Sequence, residues 1–316
     1  MRIGIWHQHG SWMDAFVRGS HTYLVPTNDA RDQDGLGTGG RDWPNVVEVS
    51  PEAARDAEPD VIVVQREVEL EVLVEKWFGL RPAIDVPVVV LEHNMPRGDI
   101  AEMRHWAADR TDLVVVHVTH NNRVLWDTGG ARTVVVEHGI PDPGHRYTGE
   151  IARGAAVINE AARRWRLVGT DLLGGFTGIA PVDLFGMAGE RAAELVPGLQ
   201  AQGDLRHHEL HAEVARRRCY LHLNRWTSLG LSLLESMVLG VPPIALAATE
   251  APSTIPVDGG LVSNDLDALH ARYRDYLADP EMAAEHGRRA RRAACERHGL
   301  DRFLQHWDEL LTEVIS

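Results

Sequence analysis

One short stretch of the chain sets a loop, a helix end and an acid in line. Trp226-Thr-Ser-Leu-Gly230 is polar and ends in glycine, and Leu231 to Leu239 follows as an apolar run with one acid, Glu235. Gly240 ends that run, and Val241-Pro242-Pro243 turns the chain into a strand-like Ile244 to Ala247. The pattern predicts a helix whose N-terminus lies at Gly230. The first amides of a helix have no partner within it, and the helix dipole adds positive potential at the same end. A phosphate suits such an end, so Gly230, Leu231 and Ser232 are candidate amide donors. Glu235 sits at least one turn further in, where a carboxylate can accept hydrogen bonds from ribose hydroxyls. The plainer reading of the same letters is a buried helix after a turn.

Further candidates lie where apolar runs stop. Val86 to Leu91 reads as a strand ending in Glu92-His93-Asn94. A neutral imidazole at His93 can orient a hydroxyl, and Glu92 beside it is a candidate base. Arg2 to Trp6 reads as a strand, and His7 to Trp12 as a polar loop after it. Gly10 and Ser11 in that loop would let backbone approach an oxyanion closely. Arg163, Arg164 and Arg166 crowd together just before Val168-Gly169. Guanidinium groups bind phosphate in a bidentate way, although a solvated basic helix face explains the run equally well.

His207-His-Glu-Leu-His211 places His207 and His211 on one helical face. It is not the His-Glu-x-x-His zinc signature, and a surface helix explains it with less, so no metal site is expected. Trp12 and Trp226 lie in candidate loops and are the better stacking platforms; Trp77, Trp106 and Trp307 read as packing.

These groups need a scaffold. Asp60 to Gln65, Leu113 to Val118 and Thr133 to Val136 are further strand-like runs, the last ending in Glu137-His138-Gly139. Helical segments are expected at Glu67 to Phe78 and His120 to Trp126. Asn28 to Asp42, rich in Gly, Asp, Arg and Asn, reads as a loop or flexible excursion. Asp142 to Tyr147 reads as a linker. Beyond it, strands are expected at Ala155 to Asn159, Val182 to Phe185 and Cys219 to Leu223, with a helix at His207 to Arg217. From Asp265 the pattern turns helical. Strands alternating with helices imply parallel α/β units with sites at the strand C-ends.

The chain has 316 residues, enough for two domains, and 44% hydrophobic with 25% charged residues reads as globular. A net charge of −14 argues against nonspecific nucleic-acid binding. Two unclustered cysteines, Cys219 and Cys295, and no leading signal segment are consistent with a reducing cytoplasm. No apolar run approaches the roughly 20 residues that span a bilayer, which leaves peripheral membrane contact open.

The run from Thr227 to Pro242 resembles the nucleotide-sugar signature of retaining GT-B glycosyltransferases of the family 4 type, roughly E-G-F-G-L-x-x-L-E-A-M-A-x-G-x-P-V. Gly230, Leu231, Leu234, Glu235, Met237, Gly240, Val241 and Pro242 match it. Thr227 stands where the family has the first acid of its Glu-x7-Glu pair; Thr-Ser-Leu-Gly in this place is similar to an actinobacterial-looking subgroup. The resemblance is close in letters over 219 to 252 and elsewhere a matter of layout.

It implies an α/β GT-B fold: two Rossmann-like domains facing a cleft, with a C-terminal helix crossing back to the first. The domains would be residues 1–146 on the acceptor side and 147–300 on the nucleotide-sugar side, with helix 301–316 on the first. The implied reaction moves a sugar from a nucleotide-diphosphate donor to an acceptor hydroxyl with retention, without metal or other cofactor. By the resemblance Glu235 holds the donor ribose. Gly230, Leu231, Ser232, Gly10, Ser11 and the three arginines meet the diphosphate. His93, Glu92 and Thr227 face the reacting sugar. Two other readings stay open: a binder of nucleotide sugars without transfer, and a nucleotide-sugar hydrolase or epimerase. Donor base and sugar, acceptor and oligomeric state are not legible.

Overall fold

A computed structural model describes residues 1–316. The chain divides into two compact units, Met1–Pro141 together with Leu300–Ser316, and Asp142–Gly299. No helix is long and apolar enough to cross a membrane.

The first unit holds strands β1 (Arg2–Ile5), β2 (Thr22–Pro26), β3 (Val46–Val49), β4 (Val61–Val64), β5 (Val88–Glu92), β6 (Val114–His117) and β7 (Arg132–Val135). They form one sheet in the order β3-β2-β1-β4-β5-β6-β7, with every pair parallel. Its helices in the first part of the chain are α1 (Gly10–Phe16), α2 (Pro51–Arg55), α3 (Val74–Phe78) and α4 (His120–Leu125). The central strands are nearly continuous Val, Ile and Leu because helices cover both faces of such a sheet. All four residues of β4 and all five of β5 are buried.

The second unit repeats the plan with β8 (Ile151–Val157), β9 (Val182–Phe185), β10 (Leu199–Gly203), β11 (Arg217–His222), β12 (Pro243–Ala245) and β13 (Leu261–Val262). Their order is β10-β9-β8-β11-β12-β13, again all parallel. The helices are α5 (Leu173–Thr177), α6 (Glu190–Leu195), α7 (His207–Arg216), α8 (Leu231–Leu239), α9 (Ala251–Thr254), α10 (Leu266–Ala278) and α11 (Pro280–His298). The last helix, α12 (Leu300–Ile315), belongs to the first unit. Its Trp307 ring packs 4.9 Å from Phe16 and 5.7 Å from Trp12, on the face of α1.

Four strands lie outside the sequence expectations: β2, β3, β10 and β13. All four sit at or next to a sheet edge; β13 has two residues, and β10 is largely polar, Leu-Gln-Ala-Gln-Gly. Three expected segments differ in detail. The helix expected from Glu67 begins as a π turn over Glu69–Leu73 and becomes α-helical only at Val74. There the buried Glu69 carboxylate takes the Gln65 amide at 2.6 Å and Arg66 Nε at 2.7 Å. The loop expected at His7 to Trp12 turns into α1 at Gly10. The excursion at Asn28 to Asp42 is pinned rather than loose. Glu48 Oε1 accepts from the Thr38 amide at 2.7 Å and from Arg31 at 2.6 Å, and Asp14 holds Arg41 and the Trp43 indole.

Candidate functional site

In an open parallel sheet, ligands bind beyond the strand C-ends where the strand order reverses. In the second unit that point lies between β8 and β11. The segments leaving these strands are residues 158–172 and 223–230, and the two are stitched together. The backbone amides of Arg225 and Trp226 both donate to the Leu167 carbonyl, at 2.9 and 3.2 Å. Gly169 makes this approach feasible: its φ is +75°, and a Cβ there would lie 2.1 Å from the Leu223 carbonyl oxygen.

The 223–230 segment delivers the chain to α8. Gly230 is the N-cap, and no side chain caps the helix there. A Cβ on Gly230 would lie 2.7 Å from His222 Cε1, so glycine lets the loop close over that ring. His222 is buried, and desolvation lowers its pKa to about 4, so the imidazole is neutral at pH 7. The helix is anchored from below by Leu233, Leu234, Met237 and Val238, all buried, and it ends at Gly240 in the left-handed region. Ser232 Oγ accepts a hydrogen bond from the Tyr220 hydroxyl at 2.8 Å, which fixes the first turn on β11. Helical spacing puts Leu231 and Ser232 on the same side as Glu235. The Glu235 side chain is mostly covered, and its Oε1 lies 3.1 Å from His207 Nε2 on α7. Thr227 is half-buried in the loop.

The basic run before Gly169 is divided. Arg163 pairs with Glu160 and is largely exposed. Arg166, also exposed, lies 3.7 Å from Asp171. Arg164 follows the same turn, its amide donating to the Glu160 carbonyl at 3.0 Å. Sequence reasoning gave no role to the arginine the structure places most centrally. Arg225 forms a bidentate pair with Asp171 at 2.7 and 2.9 Å, and a further bond to the Arg166 carbonyl at 2.8 Å. Burial pushes the Asp171 carboxyl up, but the Arg225 guanidinium outweighs it and leaves the group below its ordinary range. Its position directly after the strand end was the available signal.

The first unit has its own reversal point between β1 and β4. Gln65, just past β4, bridges two strand ends. Its Nε2 donates to the Trp6 carbonyl at 2.8 Å, which leaves its Oε1 to accept from His93 Nε2 at 2.9 Å. That bond puts the His93 proton on Nε2 and leaves Nδ1 as the basic nitrogen. The His9 ring lies 4.1 Å from His93. Desolvation, then the charges of His9 and His138, hold His93 well below the ordinary histidine pKa; desolvation and Arg97 bring His9 to about 4. Gly10 and Ser11 open α1, with the Arg41 guanidinium over Gly10.

Two expected roles do not fit this geometry. Glu92 is 5% exposed and turned inward, one oxygen accepting from the Asn94 amide at 2.5 Å and the other from His105 Nε2 at 3.0 Å. A carboxylate engaged in this way holds the strand end and does not face an acceptor. Trp12 is 2% exposed and packed among Phe16, Phe303 and Trp307, so it is core and not a stacking platform.

Residues 191–293 match the family Glycosyl transferases group 1. No curated protein matches the chain in sequence. Among solved structures, a sucrose-phosphate synthase from Thermosynechococcus elongatus is similar with TM-score 0.75 at 15% identity, over 99% of each chain. HepE from Anabaena in complex with UDP is similar with TM-score 0.73 at 14% identity, over 99% of this chain and 100% of that one. A glycosyltransferase from Rickettsia africae is similar with TM-score 0.68 at 11% identity, over 100% of this chain and 98% of that one. The chain thus has the GT-B fold of two Rossmann-like α/β units, and residues 191–293 of its second unit match glycosyl transferases group 1.

Proposed function

We propose that the chain is a retaining glycosyltransferase of the family 4 type, acting in the cytoplasm on a nucleotide-diphosphate sugar. The observation that carries this reading is the uncapped N-terminus of α8 at the strand-order reversal, with Glu235 one turn behind it on the same side. The amides of Gly230, Leu231 and Ser232 meet the diphosphate, and the Glu235 carboxylate accepts from the ribose hydroxyls. Arg163, Arg164 and Arg166 supply positive charge, and Arg225 holds their segment against the loop. These groups stabilise the charge that grows on the departing diphosphate, and the reading uses no metal for that purpose.

In the reaction the anomeric C–O bond to the diphosphate breaks, a bond to the acceptor oxygen forms, and the proton of the acceptor hydroxyl passes to the departing diphosphate. Within the first unit, His93, with Nδ1 unprotonated, is the group proposed to orient a sugar hydroxyl, and Gly10 and Ser11 are the backbone proposed for the diphosphate. HepE, one of the similar structures, has been solved with UDP-glucose, which makes a UDP-sugar the first donor to try.

A panel of UDP-, GDP- and ADP-sugars in a thermal-shift assay tests the donor site, since a ligand that prefers the native state raises its melting point. At least one donor should do so. Glu235→Ala should weaken that donor by about 100-fold, the loss of charge-assisted bonds totalling roughly 3 kcal/mol. Equal binding by the variant would sink the assignment. Thr227, a hydroxyl where the family carries an acid, favours one alternative: a nucleotide-sugar binder that transfers nothing. Donor binding without turnover across a range of hydroxyl acceptors would select it.

A further inference from the structure

The side chains around Glu235 are arranged for more than a ribose. His207 and His211 are four residues apart on α7, with ring centroids 4.1 Å from each other. One ligand atom from each of His207, His211 and Glu235 lies within 4.8 Å of the other two. The contact from His207 Nε2 to Glu235 Oε1 is 3.1 Å. Tetrahedral zinc with bonds near 2.0–2.1 Å holds its ligand atoms roughly 3.3 Å apart, so small rotations of these side chains close the set.

A His207–Glu235 ion pair alone leaves one observation over. His211 is 6% exposed, and its Nε2 is buried with no hydrogen-bond partner. Buried polar nitrogens in folded proteins nearly always have partners, and an orphan calls for one. A nitrogen of this ring lies within 4.8 Å of the other two donor atoms, so a cation held between the three side chains would give the ring the partner it lacks. Two imidazoles and one carboxylate are the donor types of zinc sites that keep an open position.

We propose that His207, His211 and Glu235 form a site for a zinc-class divalent cation, and that a cation there takes Glu235 away from a donor ribose. The second half rests on the donor reading of Glu235, whereas the first does not. A filled site would then inhibit the enzyme, which makes this cation an antagonist of the donor.

The test uses the untagged full chain, stripped with a chelator and titrated with zinc by calorimetry. One zinc should bind per chain. His207→Ala and His211→Gln should each weaken it at least about tenfold, while His208→Ala, on the neighbouring side chain, should bind as wild type does. Because His207 is exposed, its variant keeps the fold and decides the matter even if a His211 variant does not. No zinc binding, or wild-type affinity in His207→Ala, overturns the site. Saturating zinc should also diminish the melting-point rise given by the best donor, and a chelator should restore it. A donor response indifferent to bound zinc overturns the competition. If no donor raises the melting point at all, the donor reading falls, and the zinc titration still decides the cation site.

Discussion

The two units use one sheet plan and differ in which polar groups surround the helix that follows each reversal point. At the reversal point of the first unit the polar groups are bound to one another. Glu92 is engaged by Asn94 and His105, Gln65 ties Trp6 to His93, and Asp14 ties Arg41 to Trp43. Both reversal points carry a helix N-terminus without a side-chain cap, but α1 is seven residues long with the Arg41 guanidinium over Gly10, whereas α8 has nine residues and the acid one turn into it meets a histidine. The first pattern fixes backbone, and the second sets a longer helix N-terminus beside a mostly covered acid. A polar strand end is therefore weak evidence of chemistry until its partners are known. By this criterion the second unit is the better candidate for donor chemistry, and His93 is the leading candidate within the first.

The sharpest way to break the second pattern is at the stitch beneath it. Gly169→Ala adds a Cβ 2.1 Å from the Leu223 carbonyl at a φ of +75°. Backbone strain together with that clash should cost about 3 kcal/mol and lower the melting point by about 6–12 °C. Gly203→Ala is the control, with φ +79° and nothing within 4 Å of the added atom. It should show strain alone, about 1 kcal/mol. Equal melting points for the two variants would mean that the Leu223 contact does not hold the loops together.

Glu92→Gln tests the inward reading of the first unit. The amide is nearly isosteric but must turn its NH2 toward a donor that a carboxylate oxygen now serves. Leaving one buried partner unsatisfied should cost about 1–3 kcal/mol, seen as a melting point lower by about 2–12 °C. Loss of turnover by 100-fold with an unchanged melting point would return Glu92 to the role of base.

The same contrast explains what could be read from the letters. Gly230, Glu235 and Gly240 lie within one helix and its caps, so local spacing was enough to place them on one element. Arg225 escaped because its role depends on Asp171 and Leu167, far back in the chain. Glu92 looked catalytic because sequence shows a neighbour, His93, and not a distant partner, His105. Trp12 looked like a loop residue because α1 was not foreseen, and the aromatic group that buries it comes from α12. In the first unit β4, β5 and β6 were legible from their Val and Ile runs; β2, β3, β10 and β13, at or beside an edge, were not. The His207–His211 pair was visible, but the third donor comes from α8, and only the fold brings it there.

The smallest effect concerns the 28–42 loop, whose order follows from Glu48. Hydrogen bonding to Arg31 comes first among the causes that lower the Glu48 pKa to about 2, and the Thr38 amide adds to it. A carboxyl depressed in the folded state adds stability that is complete above its ordinary value of 4.5 and is lost as pH falls toward 2. With Arg31 half exposed, solvent screening leaves about 1 kcal/mol of this at pH 7. Glu48→Gln should therefore weaken the loop at pH 7 and flatten its response between pH 4.5 and 2. Hydrogen exchange at the Thr38 amide reads this directly, because that N–H donates to Glu48 Oε1 at 2.7 Å. Its protection at pH 7 should fall about fivefold in the variant, the equivalent of 1 kcal/mol. Unchanged protection would mean that the loop is held instead by Asp14 and by the isolated antiparallel bridge that pairs Thr27 with Leu36. The first unit would then owe its order at this edge to the Asp14 contacts and to backbone pairing, with Glu48 dispensable.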